Sequence, residues 1–399
     1  MPSTTSAPTK YRIESIDILR GIVMLIMAVD HVREVFHLGQ PDPTNLAATT
    51  PILFFTRFIT HFCAPSFVFL SGISAYIAGT RRTGNQLSGF LLKRGLWLIV
   101  VEVVIITLAI TLNPGYNTIV LQVIWAIGGS MVLLALLVRL KASLPVIGAI
   151  GALIFFGHNI FDVLNVGAVV NTIAWRLLIS AAGFNSFIPI GHNHLILAAY
   201  ALLPWTGVML LGYVFGSLYT STADIAKRKK TLLVSGLSLL LLFTVFRAFN
   251  IYGDPSPWST QKTIALSIIS FFNVTKYPCS LLYCSITVGT ALVLLAAFEN
   301  VKSKITNVFI VYGNVPFFYY VCHWYLIQTI HIVAFFATGF TTAQIVTPNS
   351  PFLFSPPTFG FNLLGVYIIW LVVLVTLYLP CKWFSTYKKT HRQWWLSYV

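Results

Sequence analysis

Two histidines, His31 and His323, lie inside long apolar runs of this chain. Ionisable residues are rare in such runs and are usually functional. A neutral imidazole can take a proton near neutral pH, so a general base is the first chemistry to consider. His37, His61, His158, His192, His194 and His331 fall toward the same side of the apolar segments, and only His391 falls toward the other. Asp17, Arg20, Met24, Met27 and His31 recur at steps of three and four and share one helix face. An interfacial Asp17–Arg20 anchor with a histidine at headgroup level accounts for this face equally well. Asp30 precedes His31 and points about 100° away from it. Glu102 sits mid-way along LWLIVVEVVIITL, where a carboxylate must face protein rather than lipid. As a candidate it orients a base; as a structural residue it pairs with a buried His, Arg or Tyr. Arg57 and His61 are i,i+4 and face one way, either as the lip of a site or as a surface pair. In NVPFFYYVCHWYLIQ, Pro316, Tyr320 and His323 share a face, and His323 needs a partner.

These residues must be held by membrane helices. Of 399 residues 57% are hydrophobic and 9% charged, against about a quarter charged in soluble domains. A soluble fold so poor in charge would expose very large apolar patches. At ~20 apolar residues per crossing, about ten spans are expected: Ile18–Phe36, Phe62–Ala78, Leu96–Thr111, Ile119–Val138, Leu144–Phe156, Leu195–Tyr219, Thr231–Phe249, Ser280–Ala297, Val308–Ile330 and Phe361–Leu379. The fold class is therefore an all-α polytopic bundle. Residues 11–385 form one transmembrane domain between a disordered tail (1–10) and a basic, aromatic tail (386–399).

The net charge is +15, but the basic residues cluster in short segments between apolar runs. That pattern marks cytoplasmic loops facing anionic lipid rather than a nucleic-acid surface. Placing Arg81, Arg82, Lys93, Arg94, Arg139, Lys141, Lys227 to Lys230, Lys302, Lys304 and the tail lysines inside puts both termini in the cytoplasm. Arg33, Arg57, Arg176, Arg247, Lys262 and Lys276 are left on the other side. Counting Val166–Ala182 or Thr263–Phe272 as crossings breaks this alternation, so both are read as outer interfacial or re-entrant helices. No A-x-A-like cleavage site follows the first run, which is a retained span. The five cysteines lack metal spacing and read as small buried hydrophobes.

No Walker loop, dinucleotide glycine pattern, H-E-x-x-H or G-x-S-x-G is present. RIESIDILRGIVMLIMAVDHVREVFH (12–37) nevertheless resembles the start of the heparan-α-glucosaminide N-acetyltransferase-like catalytic-domain family, in its bacterial branch. The resemblance continues through THFCAPSFVFLSGISAYIAGTRR (60–82), LLKRGLWLIVVEVVI (91–105), LPWTGVMLLGYVFG (203–216), FFNVTKYPCSLLYCSITVG (271–289) and GNVPFFYYVCHWYLIQ (313–328). The Ser15 to Gly21 segment with His31 also looks like the wider membrane O-acyltransferase superfamily.

The resemblance implies an integral acyltransferase of the bacterial inner membrane. It would take acetyl-CoA or another acyl-CoA from the cytoplasm and pass the acyl group to a glycan-like acceptor on the far side. In the family's animal members the proposed catalytic histidine precedes an F-P-W-F-type motif. Here that motif reads CAPSFVF around Pro65, and the region near Pro51 has no histidine. The carried-over base is then His31, with His61 second and His323 third, and with Asp30 or Glu102 orienting it. Arg20, Arg81, Arg82 and Arg94 would meet the cofactor's phosphates, although each is also an ordinary positive-inside residue. No metal is implied, and homodimerisation is left open. The rival is a proton-coupled transporter, which would show inverted repeats; none is visible in the sequence.

Overall fold

The computed structural model describes residues 13–164, 167–180, 186–191, 193–220, 223–347, 350, 352–391 and 393–397. The expected tail 1–10, His192 and parts of 166–182 and 386–399 lie outside the described residues. Sixteen helices are described: α1 (Glu14–Phe36), α2 (Pro51–Thr60), α3 (Cys63–Gly79), α4 (Gly84–Val101), α5 (Thr107–Thr111), α6 (Val123–Arg139), α7 (Leu144–Gly157), α8 (Ile160–Val163), α9 (Ile173–Leu178), α10 (Leu202–Phe215), α11 (Ile225–Phe249), α12 (Ile264–Phe272), α13 (Leu281–Ala297), α14 (Lys304–Gly313), α15 (Pro316–Ala337) and α16 (Leu363–Thr390).

Among the described residues, seven helical stretches are long and apolar enough to cross a membrane: Pro51–Gly79, Gly84–Thr111, Leu144–Asp162, Leu202–Tyr219, Ile225–Phe249, Pro316–Ala337 and Leu363–Thr390. Helices α6 and α13 are apolar but shorter. Helix α1 has 23 residues but carries Asp17, Arg20, Asp30, Arg33 and Glu34 along its length. Those charges are tolerated because the helix is buried in protein on nearly all sides. By contrast, α11 and α16 expose Leu241, Val375 and Leu379, as helices facing lipid do. The protein is an integral membrane protein.

Three expected spans are corrected. Ile119 and Leu195 do not begin helices. Thr118–Leu121 (β1) pairs in parallel with Leu195–Ala198 (β3), which pairs antiparallel with Phe187–Pro189 (β2). A small sheet therefore joins an otherwise helical fold. The strands satisfy one another's backbone groups where the chain leaves α5 and enters α6 and α10. Short apolar runs of strand and of buried helix look alike in sequence. The run Val308–Ile330 is broken between Gly313 and Pro316, where α14 ends and α15 begins with proline in its first turn. Within Thr263–Phe272 the chain forms the nine-residue α12 (Ile264–Phe272), at about 14 Å too short to cross. The described part of 166–182 holds a 3-10 turn (Gly167–Asn171) and the six-residue α9.

Close helix crossings set the frame. A Cβ on Gly21 of α1 would lie 2.0 Å from the Phe309 carbonyl oxygen, and one on Gly313 would lie 1.9 Å from that of Asp17. Only glycine permits this approach of α1 and α14. The helix begun by α4 runs on to α5 through a π-helical turn at Glu102–Ile106. The five cysteines are unpaired, and Cys63, Cys279, Cys284 and Cys381 are buried.

Candidate active site

His31 near the end of α1 and His323 on α15 meet in the core. His31 Nδ1 lies 2.7 Å from His323 Nε2. His323 is fully buried, and its Nδ1 lies 3.2 Å from the Tyr319 carbonyl oxygen one turn back. A carbonyl only accepts, so this network assigns the His323 proton to Nδ1. Neutral His323 then accepts at Nε2, and His31 donates to it from Nδ1. The second nitrogen of a neutral His31, Nε2, carries a lone pair. Stacking fixes both rings: Trp324 lies 4.2 Å from the His31 ring and Tyr319 5.3 Å from that of His323. His31 thus has a defined tautomer, held by a second imidazole rather than by a carboxylate.

Neither Asp30 nor Glu102 is hydrogen-bonded to His31. Asp30 turns to Arg57 and to Arg33, whose Nη2 donates across 3.1 Å. Glu34 approaches the same arginines, at 3.7 Å from Arg33 and 4.0 Å from Arg57. Glu102 accepts the backbone N–H of Gln122, the residue before α6. A carboxylate there complements the positive end of the helix. The buried partner expected for Glu102 is therefore a helix terminus, reached from the π-turn. His61 is buried beside Tyr283, whose hydroxyl donates to the His61 carbonyl at 2.9 Å. No hydrogen bond reaches His61 Nδ1 among the described residues. His331 pairs with Gln328 at 3.0 Å.

A cleft of about 90 Å³ is lined by Arg20, Met24, Ser71, Arg94, Pro316 and Tyr320 among others, and Tyr320 joins it to the surroundings of the histidine pair. The Tyr320 ring lies 6.3 Å from that of His31 and 5.4 Å from that of His323. The expected faces of α1 and α15 thus do come together. Arg20 donates to Ser74 Oγ at 3.1 Å and to Asp17 at 3.3 Å. The four arginines, however, do not form one cluster. Arg81 is exposed, and Arg82 lines a different cavity. Trp324 and Tyr319 escaped the sequence reading. The i−4 carbonyl under a helical histidine was the available signal for Tyr319, since helix geometry places it within reach of Nδ1.

A family profile described as heparan-alpha-glucosaminide N-acetyltransferase, catalytic, matches residues 12–246, more than half of the chain. The chain belongs to this family. No curated protein matches it. Membership carries an acetyltransferase-like membrane function. The matched region holds His31, Asp30, Arg57, His61 and Glu102 and ends within α11. His323, the partner that fixes the His31 tautomer, lies beyond it. Among the described residues no group of three or more His, Cys, Asp or Glu stands together as a metal site would require.

Proposed function

We propose that this protein transfers an acetyl or other acyl group from acyl-CoA to a sugar-like acceptor across a bacterial inner membrane. The observation that carries this reading is the His31–His323 pair, packed against Tyr320, which lines a cleft together with Arg20 and Arg94. At about 90 Å³ the cleft is far below the roughly 300–1,000 Å³ of sites for drug-sized ligands. It suits a thin acyl-pantetheine chain between Met24, Leu98 and Met131, with the nucleotide left outside near the arginines. His31 takes the proton from the acceptor hydroxyl or amine as that atom attacks the thioester carbonyl. The C–S bond breaks, and the leaving thiolate recovers the proton from His31. His323 is a positioning residue. Buried ionisable residues alone would also suit a proton-coupled transporter, but the family match lends that reading no support.

The decisive measurement is acyl-CoA binding by the purified full chain, followed by slow hydrolysis without acceptor. Arg94→Gln is expected to weaken acyl-CoA affinity about tenfold or more, the scale of one charged hydrogen bond. Arg82→Gln should leave it within about twofold, a change worth less than half a kcal/mol. Absence of binding in the parent protein would remove the acyltransferase reading. A larger loss with Arg82→Gln would move the cofactor to the other cavity.

Ten crossings fit this activity: the seven long apolar stretches together with α1, α6 and α13. At 17 residues, α6 and α13 are at the short end of the spanning range. The basic loops then lie in the cytoplasm with both termini, and the histidine-rich end faces outward. A reporter at Lys229 should read cytoplasm and one near Pro43 the outside. The same compartment for both would break the ten-crossing arrangement.

A further inference from the structure

A second, wider cavity plays no part in the chemistry above. It measures about 390 Å³ and lies at the basic end, between the end of α3, the start of α4, the α6–α7 turn and α10. It shares no lining residue with the cleft at Arg20 and Tyr320. The helices that line it also press into backbone contact with one another. A Cβ on Gly72 would lie 2.2 Å from the Met209 carbonyl oxygen, and one on Gly95 2.6 Å from that of Gly128. Neither His31 nor His323 lines this cavity.

Its charged groups are cationic. Arg82 and Lys141 line it, and Arg139, held to Asn85 at 2.7 Å, stands beside them. The only carboxylate between Arg81 and Ile147 is Glu102, which is occupied at the start of α6. The start of α7, at Leu144, also faces the cavity and brings the positive end of a 14-residue helix. Lys141 has a left-handed backbone, φ 57°, just past the end of α6. Glycine or asparagine is favoured at that position, and lysine is strained there. Strain held at a cationic lip points to a use for the charge.

The neighbouring surface is apolar. Leu140 is 69% exposed, and Leu136 and Val146 are about half exposed. A soluble phosphate ligand would gain nothing from such walls. A phospholipid would, because its phosphate meets the cations while its chains lie along α6 and α7. We infer that this cavity binds the phosphate headgroup of an anionic phospholipid, seated at the basic end of the bundle and separate from the acyl-transfer path. Basic pockets between membrane helices suit such headgroups.

The test uses the full chain in detergent, stripped of lipid and followed by thermal unfolding. Short-chain phosphatidylglycerol, phosphatidylcholine of the same chain length, inorganic phosphate and adenosine 3′,5′-bisphosphate are each titrated. Phosphatidylglycerol should raise the melting temperature saturably; phosphatidylcholine and inorganic phosphate should not, and any response to the bisphosphate, a fragment of CoA, should be unaffected by changes at this cavity. Lys141→Gly and Arg82→Gln should each shift its half-saturating concentration upward about fivefold, the scale of one basic residue at an anionic lipid surface. Lys141→Gly relieves the left-handed backbone, so its lipid-free melting temperature should not fall. That separates lost binding from a damaged fold. An unchanged lipid response in both variants overturns the proposal, as does an equal response to phosphatidylcholine. Saturation by phosphate or the bisphosphate, lost in the same variants, would give the cavity to a soluble ligand and refute a lipid site.

Discussion

His31→Gln should keep its fold and its affinity for acyl-CoA and lose at least ~100-fold in turnover, the low end for removing a general base. Glutamine suits this test because its side-chain amide can still donate to His323 Nε2, as His31 Nδ1 does now across 2.7 Å. It also keeps a flat group against Trp324. What it lacks is a basic nitrogen in place of Nε2. The companion change is His323→Gln, whose amide oxygen can accept from His31 and preserve its tautomer. His323→Leu cannot, and frees His31 to place its proton on Nε2. Turnover should therefore fall further in the leucine variant than in the glutamine variant, with KM for acyl-CoA unchanged in both. Near-normal turnover in His31→Gln would remove it as the base and turn attention to His61. Equal losses in the two His323 variants would mean that His323 acts by packing alone.

Much of the first helix was legible in sequence, because a helix face is a local property. The three- and four-residue steps from Asp17 to His31 needed no partner to be seen. The same holds for the face of α15 from Pro316 to His323. What could not be read was the meeting of the two histidines, which are 292 residues apart. Their contact depends on α1 passing beside both α14 and α15. That geometry in turn rests on Gly21 and Gly313, and nothing in either segment alone names the other. Asp30 was misleading for a related reason. Its neighbour in sequence is His31, but one residue's turn of the helix sends it to Arg57 on α2 instead. Glu102 was legible as buried but not as a helix cap, since Gln122 lies beyond a strand that reads as part of an apolar span.

Asp30→Asn should be among the most destabilising single changes in the protein, costing about 3–5 kcal/mol, the scale for breaking a buried ion pair. The reason is its place as a hub. Asp30 serves both Arg33 and Arg57, and all three side chains are 7–8% exposed. Neutralising it leaves two buried guanidinium groups that repel each other. Their remaining acidic neighbour is Glu34, which is 40% exposed and no closer than 3.7 Å. Arg57→Met is not the mirror of this change. It removes a cation and leaves Asp30 paired with Arg33, so its cost should be clearly smaller. Combining Arg57→Met with Asp30→Asn should then recover part of the stability lost in Asp30→Asn alone, since one of the two stranded charges is gone. Thermal unfolding of the three variants in detergent gives the order directly. If Arg57→Met unfolds at least as readily as Asp30→Asn, Asp30 is not the hub. The end of α1, and with it the placement of His31, would then rest on Arg57 and the packing of α2.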